Sequence, residues 1–185
     1  NISIMKIKVI GVGGCGCNAL VDLNSNDISD ISLVIVDNKK ELLKIDENIS
    51  ELAIENNDLS LNDKLHELLL DTPNVLVVVG LGGVYGSEIA EALCRVHKSI
   101  HGAMGFVWIF AIMPFHFEGC VKRASYNFAR IDQLATKMIV FDNNSLVEDG
   151  DRPLTSMVTC VGQKLREIIE EAQSLSIDPE SHDVL

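Results

Sequence analysis

Short apolar runs alternate with segments of helical spacing along almost the whole sequence, and this alternation limits the folds open to the chain. The runs occupy residues 5–12, 33–36, 75–79, 106–112 and 138–141. They are apolar throughout, which is typical of parallel strands that are covered on both faces. Strands and helices in this order predict a doubly wound α/β fold, in which a mostly parallel, Rossmann-like sheet carries helices on both faces.

Helices are predicted between and after these runs. In residues 60–70, apolar side chains recur at positions 61, 65, 68 and 69, and Ser60 is suited to cap the first turn. The other helices are predicted to begin near residue 19 and to cover residues 88–101, 122–136 and 155–175. The polar and acidic stretch 39–59 carries no predicted regular structure.

Charge and hydrophobicity exclude several classes of protein. The formal net charge of −12 argues against binding to nucleic acid, because no concentration of positive charge would meet the phosphates. Hydrophobic residues make up 47% of the chain, which excludes an intrinsically disordered protein. The longest apolar run, residues 106–115, is shorter than the roughly 20 residues that cross a bilayer, and the first residues lack a signal-peptide pattern. A soluble, cytoplasmic protein is therefore expected.

The five cysteines predict neither a disulfide framework nor a metal site. Their number is odd, and no secretory signal accompanies them. Cys15 and Cys17 lack a second pair at the spacing of zinc ligands, and we expect no metal-binding cluster among the five histidines. We interpret Cys15 and Cys17 as small residues that fill a tight turn.

A glycine-rich turn follows the first predicted strand. In residues 10–18, Gly11, Gly13 and Gly16 satisfy the pattern G-x-G-x-x-G. Such a turn lets backbone N–H groups approach phosphate oxygens, and the following helix N-terminus adds a partial positive charge. Asp37 ends the second predicted strand, near the place of the ribose-binding acid of dinucleotide-binding folds. Taken alone, this pattern indicates an NAD-binding protein.

A second glycine-rich turn follows the run at residues 75–79 and opens the next helix. It contains Gly80, Gly82, Gly83 and Gly86. In a sheet of strand order 3-2-1-4-5-6, the first and fourth strands are neighbours, so the two turns would face each other across one crevice. Two facing turns suit a triphosphate that is held from both sides without a Walker lysine, whose motif the sequence lacks. The alternative is a close strand–helix crossover.

Four segments, in the right order, resemble the nucleotide-binding domain of the FtsZ/tubulin superfamily. Residues 7–20 (IKVIGVGGCGCNAL) are similar to its first nucleotide loop, and residues 82–87 (GGVYGS) stand in the place of its GGGTGTG signature. Residues 114–119 (PFHFEG) are similar to its PFxFEG segment, and residues 139–146 (IVFDNNSL) to its IVIPNDKL segment. The resemblance implies a divergent FtsZ-like protein that binds GTP or GDP, with Mg²⁺ as an optional cofactor.

The resemblance also implies which residues bind the nucleotide. The glycine turns would hold the phosphates, Asn18 and Asn143 would contact guanine, and Glu118 would bind ribose hydroxyls. Lys122 stands where the family has the arginine that accompanies this carboxylate, and Arg123 follows it. The predicted nucleotide-binding residues are Gly13, Gly14, Cys15, Gly16, Cys17, Asn18, Gly82, Gly83, Val84, Tyr85, Gly86, Ser87, Pro114, Glu118, Lys122, Arg123, Asn143 and Gly162.

Several positions depart from the family pattern. Val84 and Tyr85 replace a glycine and a threonine of the second loop. Val158 and Gly162 stand where the family has an aromatic residue and an acid or amide that grip the base. The stretch 39–59 replaces a glycine-rich loop that senses the terminal phosphate. These departures predict weak binding of GTP or a preference for GDP.

The last residues resemble a catalytic loop of the same family. Residues 177–184 match the spacing of its I-N-x-D-x-x-D-V loop, whose two carboxylates reach the nucleotide of the next subunit. The resemblance therefore makes Glu180 and Asp183 the predicted catalytic residues for hydrolysis in trans. A solvated acidic terminus is the alternative interpretation of the same composition.

Taken together, the sequence predicts a guanine-nucleotide-binding domain in residues 1–176 and an acidic, loop-like tail in residues 177–185, with the second domain of the family absent. The predicted function is that of a weak GTPase coupled to self-association, as a homo-oligomer or filament that reaches a membrane only through a partner. Two alternatives stay open: an NAD(P)-binding oxidoreductase or redox sensor, and a non-hydrolysing scaffold of the same fold.

Overall fold

The computed structural model describes residues 5–21, 23, 28–38, 48–146 and 154–175, with side chains from residue 159 onward in the last range. Within these residues, the strands are β1 (Ile7–Val12), β2 (Ile31–Asp37), β3 (Ile49–Ala53), β4 (Asn74–Gly80), β5 (Phe106–Met113) and β6 (Lys137–Asp142). The α-helices are α1 (Gly13–Val21), α2 (Leu61–Leu69), α3 (Val84–His101), α4 (Val121–Asp132) and α5 (Leu154–Ser174).

The strands form one parallel sheet with the order β3-β2-β1-β4-β5-β6. This confirms both the doubly wound α/β fold and the strand order predicted from the sequence. β1 and β4 are neighbours, and Val12 pairs with Val79 near their C-terminal ends. From these two strands the chain winds outward in opposite directions, so the loops that follow them open a crevice at the edge of the sheet.

Apolar layers cover both faces of the sheet. On one face, Leu65 of α2 and Leu93 of α3 pack against the strands, together with residues of α4. On the other face, Leu20 of α1 and Ile169 of α5 pack around Phe110. Burial on both faces explains why β1, β4 and β5 are apolar along almost their whole length. None of the helices in the described ranges combines the length and the apolar character that crossing a membrane requires.

The edge strand β3 lies in a stretch for which the sequence predicts no regular structure, and that expectation is wrong for these residues. Most of its side chains are exposed or half-buried. It pairs with β2 through backbone hydrogen bonds on one side only. A strand held mainly by its backbone at the edge of a sheet needs no apolar run, so composition gives no sign of it.

Helices α1 and α3 begin earlier than the sequence predicts. α1 starts at Gly13 instead of near residue 19, and α3 starts at Val84 instead of residue 88. Glycine disfavours helix interiors, which is why the sequence assigns these residues to turns. In the structure Gly13 has a φ of 65°, which directs the chain from β1 straight into α1. The glycine turns therefore supply the N-termini of both helices.

His97 and His101 lie one turn apart on α3 and fasten it to the segment before β4. The expectation that the histidines do not cluster is therefore wrong for this pair, because positions four apart lie on the same face of a helix. Nε2 of His97 donates to the carbonyl oxygen of Pro73 at 2.7 Å, and Nε2 of His101 donates to that of Leu69 at 2.9 Å. Their ring centroids are 4.9 Å apart. Burial lowers the pKa of His97, the bond to Pro73 opposes this shift, and the neighbouring His101 adds to it.

We expect acid to destabilise the fold through His97. Because the pKa of His97 is lower in the folded chain than in the unfolded chain, the unfolded chain takes up the proton first. The free energy of unfolding should therefore fall as the pH drops below about 6.5. His97→Gln keeps an N–H donor but cannot titrate, so it should lose less stability than the natural chain between about pH 7.5 and about pH 5.5. Urea unfolding of the natural chain and of the variant at the two pH values measures these losses. Equal losses would mean that groups other than His97 cause the destabilisation by acid.

Candidate functional site

The two glycine turns lie side by side at the C-terminal edge of the sheet. A Cβ atom on Gly13 would lie 3.5 Å from Cα of Gly86. A Cβ atom on Gly80 would lie 2.7 Å from Cβ of Cys15. The first turn and the second turn therefore approach each other closely, as the order of the strands predicts.

A cavity of about 470 Å³ opens between the two turns. Its lining runs along the sheet edge from the end of β2 to the end of β6. Eleven of the predicted nucleotide-binding residues line it: Gly13, Gly14, Cys15, Gly82, Gly83, Val84, Tyr85, Gly86, Pro114, Glu118 and Asn143. The fold thus brings four separate segments of the sequence to one place.

The other predicted residues lie away from this lining. They are Gly16, Cys17, Asn18, Ser87, Lys122, Arg123 and Gly162. The side chains of Asn18, Lys122 and Arg123 are exposed to solvent. The predicted catalytic residues, Glu180 and Asp183, lie outside the described residues, as does the side chain at position 158.

Gly16 and Gly11 allow α1 to pack directly on the sheet. A Cβ atom on Gly16 would lie 2.1 Å from the carbonyl oxygen of Val78, and one on Gly11 would lie 2.5 Å from that of Gly16. The Cys17 thiol is buried in the same contact. Its Sγ lies 3.6 Å from the carbonyl oxygen of Gly11 and 3.7 Å from that of Val36, so its one S–H can donate to either. Part of the G-x-G-x-x-G pattern therefore serves the packing of helix on strand.

The N-termini of α1 and α3 both face the cavity. Residues 13–15 of α1 and residues 84–86 of α3 belong to its lining. The first N–H groups of an α-helix have no acceptor within the helix, and the helix dipole adds a partial positive charge at this end. Two such ends at one cavity make it suited to an anion such as phosphate.

Asp37 and Tyr85 form the wall at the β2 end of the cavity. The Tyr85 hydroxyl donates to the carbonyl oxygen of Ile54 at 2.9 Å. The ring of Tyr85 also lies beside the first turn, since a Cβ atom on Gly13 would be 3.7 Å from its Cδ1. Burial and the negative charge of Asp37 raise the pKa of Tyr85, so the hydroxyl remains protonated and keeps its bond to Ile54.

The segment PFHFEG forms a short 3-10 turn, His116–Glu118, at the opposite side of the cavity. A carboxylate oxygen of Glu118 accepts the N–H of Phe115 at 2.8 Å. Asn144, which follows β6, fastens the segment. Its Oδ1 accepts the N–H of His116 at 2.9 Å, and its Nδ2 donates to the carbonyl oxygen of Pro114 at 3.3 Å. These bonds hold Glu118 and Asn143 beside the same part of the cavity.

The side chains at the cavity are neutral or acidic. Among the described residues that line it, Asp37 and Glu118 carry carboxylates and none is lysine or arginine. Cys15 is exposed to solvent, but partial loss of hydration and, to a smaller extent, the charge of Glu118 raise the pKa of its thiol to about 11. The thiol therefore stays protonated at neutral pH. Attraction for an anion at this lining therefore comes from backbone N–H groups.

The residues present offer little to a metal ion by themselves. Over the described ranges, no group of three or more His, Cys, Asp or Glu side chains is placed to hold a metal. Within the described residues, none of the five cysteines forms a disulfide bond. Because Mg²⁺ is commonly bound by one or two carboxylates together with the phosphates of a substrate, a nucleotide would have to supply most of its ligands here.

Sequence reasoning missed several residues at the crevice. Asn38 and Cys120 line the cavity, and so does Asp37, which the sequence links only to the NAD-binding interpretation. Asp37 and Asn38 could have been predicted as site residues, because they follow the apolar part of β2 and ligands bind at the C-terminal ends of parallel strands. Asn127 of α4, which binds the second turn, has no such signal because it lies inside a helix.

A doubly wound parallel sheet with two facing glycine turns defines the class: an α/β domain of the nucleotide-binding type. No family model matches the chain. Cell division protein FtsZ of Aquifex aeolicus is 32% identical to it over 178 residues, which covers 81% of this chain and 45% of that protein. Cell division protein FtsZ 1 of Pyrococcus abyssi is 27% identical over 167 residues, which covers 77% of this chain and 43% of that protein. The chain thus spans less than half of the length of these curated relatives.

Solved structures show the same fold. An FtsZ mutant from M. jannaschii has a TM-score of 0.73 at 20% identity, with 98% of this chain and 60% of that chain covered. CetZ2 from Haloferax volcanii, solved as a GTPγS-bound protofilament, has a TM-score of 0.75 at 18% identity, with 96% of this chain and 61% of that chain covered. The chain therefore has the fold of the FtsZ/tubulin superfamily, and its sequence is similar to that of FtsZ proteins.

Proposed function

We propose that the crevice binds a guanine nucleotide, with the phosphates between the two glycine turns. The observation that carries this proposal is the convergence of two helix N-termini on one cavity whose lining is largely glycine backbone. The relatives support guanine as the base, since CetZ2 was solved with GTPγS. Glu118 and Asn143, on the β5–β6 side of the cavity, are suited to bind the ribose and the base, because an amide both donates and accepts hydrogen bonds.

The residues that line the cavity form the core of the proposed site. Asn18 and Lys122 are exposed, and Gly162 is half-buried, all outside the lining. We therefore propose these three only as contacts at the periphery. Mg²⁺, when bound, would neutralise charge between the phosphates, and Asp37 is the lining carboxylate at the end of β2 that could bind it.

Isothermal titration calorimetry with GDP, GTP, ADP and NAD tests the proposal. We expect GDP or GTP to bind at least about tenfold more tightly than ADP or NAD. Nucleotide that the denatured protein releases should elute from an ion-exchange column as GDP or GTP. Recovery of NAD(H), or tighter binding of NAD than of both guanine nucleotides, would contradict the proposal.

We also propose that the chain self-associates when nucleotide is bound and hydrolyses GTP slowly where two copies meet. Similarity in fold supports this, because CetZ2 was solved as a protofilament. The spacing of Glu180 and Asp183 in the tail supports hydrolysis in trans.

Replacing both Glu180 and Asp183 by alanine should abolish release of inorganic phosphate from GTP. The affinity for GDP should stay within about twofold, because neither residue belongs to the proposed site of its own copy. Ser181→Ala, in the same tail, is the matched control and should keep the natural rate. A GTPase rate that the double variant leaves unchanged would remove both carboxylates from the mechanism.

The two alternatives from the sequence receive no support from the relatives and are not proposed further. The NAD(P)-binding interpretation depends on the first turn alone, whereas the second turn lines the same cavity. A cytoplasmic location, contact with a membrane only through a partner, and the absence of nucleic-acid binding remain predictions. The net charge of −12 supports the last of these.

A further inference from the structure

Side chains of α4 hold the second glycine turn from behind. Nδ2 of Asn127 donates to the carbonyl oxygen of Leu81 at 2.9 Å and to that of Gly83 at 3.3 Å. Nη1 of Arg123 donates to the carbonyl oxygen of Gly82 at 3.2 Å. Three consecutive carbonyl groups of the turn therefore point toward α4.

The direction of these carbonyl groups determines the direction of the N–H groups that follow them. In a trans peptide unit, the C=O and the N–H of the next residue point in opposite directions. Since the carbonyl groups of residues 81–83 are bound to α4, the N–H groups of residues 82–84 point away from α4. Residues 82–84 line the cavity, whereas Asn127 and Arg123 do not. The N–H groups therefore face the side on which the cavity lies.

Burial makes Asn127 the stronger of the two supports. It is 7% exposed, so water competes little for the carbonyl oxygens that it binds. The Ser87 hydroxyl also donates to the carbonyl oxygen of Gly83, at 3.0 Å. Held from two directions, this carbonyl group cannot rotate toward the cavity without leaving buried donors unsatisfied.

We propose that Asn127, assisted by Arg123, is a positioning residue that turns the N–H groups of the second glycine turn toward the phosphates of the bound nucleotide. This rests on the proposed function, because it requires phosphates in the cavity. In this proposal Arg123 supports the second glycine turn from the side of α4. The family resemblance instead implies that Arg123 contacts the ligand directly. Without these donors the carbonyl groups of Leu81 and Gly82 lose the side-chain bonds that fix their direction, and a carbonyl oxygen that turns toward the cavity repels phosphate.

Binding of GDP, inorganic pyrophosphate and guanosine separates positioning from a general structural role. Asn127→Leu is similar in size but has no donor. It should weaken the binding of GDP and of pyrophosphate by at least about tenfold. The binding of guanosine should weaken by less than about twofold, because guanosine has no phosphate. Ser125→Ala is the matched control on the same helix, since Ser125 is exposed and its hydroxyl donates to the carbonyl oxygen of Val121 within that helix. It should leave all three affinities within about twofold.

Arg123→Met is the second variant, and it decides the test if Asn127→Leu does not fold, because Arg123 is exposed. It should weaken GDP by about threefold and leave guanosine unchanged. GDP affinities equal to that of the control, or equal losses for GDP and guanosine, would overturn the positioning role alone. If the natural chain binds neither GDP nor pyrophosphate, the proposed function is itself overturned, and the positioning role with it.

Discussion

Replacing Gly16 with alanine should lower the free energy of unfolding by about 2–3 kcal/mol. The added methyl group would lie 2.1 Å from the carbonyl oxygen of Val78, which belongs to the backbone of the central strand β4. That strand is hydrogen-bonded on both sides, so α1 has to move instead and loses contact with the sheet. The greater helix propensity of alanine offsets only about 1 kcal/mol of this cost.

Gly14→Ala is the matched control for this prediction. Gly14 belongs to the same helix, but no atom lies within 4 Å of a Cβ atom on it. The control should keep the stability of the natural chain or slightly exceed it, because alanine favours the helix more than glycine does. Urea denaturation of the two variants measures the difference, and equal midpoints would show that α1 does not depend on the close contact at Gly16.

The second large effect concerns the ligand and leaves the fold intact. Gly14→Asp should weaken binding of GDP by at least about tenfold, because its carboxylate would stand at the lining of the cavity, beside the proposed position of the phosphates. Two like charges about 5 Å apart repel each other by about 3 kcal/mol at an effective dielectric constant of about 20. Calorimetry with GDP measures the loss.

The Gly14→Asp variant should be slightly more stable than the natural chain, although it binds GDP more weakly. Gly14 is exposed in the first turn of α1, where an acidic side chain interacts favourably with the helix dipole by about 0.3–1 kcal/mol. Gly14→Asn adds a side chain of the same size without the charge and serves as the control. If the Asp and Asn variants bind GDP equally well, the phosphates do not lie at the N-terminus of α1.

The fold class could be predicted because burial on two faces leaves a direct trace in the sequence. Every residue of the run at 75–79 is Val or Leu, and it forms the fully buried part of β4. The edge strand β3 leaves no such trace, since its backbone bonds to β2 and most of its side chains reach solvent. The early starts of α1 and α3 could not be predicted for another reason. Glycine is a poor helix former, so whether it belongs to a first helical turn depends on the tertiary contacts around it.

The candidate site was predictable where close approach of backbones requires glycine, and less so elsewhere. The two glycine turns and the PFHFEG segment are visible as patterns, and the structure places most of their predicted residues at one cavity. The pattern does not tell Gly14 from Gly16, although the first is open to the crevice and the second touches Val78. Only the packing of α1 on β4 distinguishes these two positions.

The sequence alone therefore determined the parallel α/β sheet, the two turns at its edge and the similarity to FtsZ proteins, because each depends on residue types at short and regular spacing. The tertiary structure alone decided what supports and bounds the crevice. Asn127 binds the carbonyl group of Leu81 across 46 positions of the chain, and Tyr85 binds that of Ile54 across 31. Such bonds join a side chain to backbone that any residue type provides, so they leave no pattern by which the partner can be found before the chain is folded.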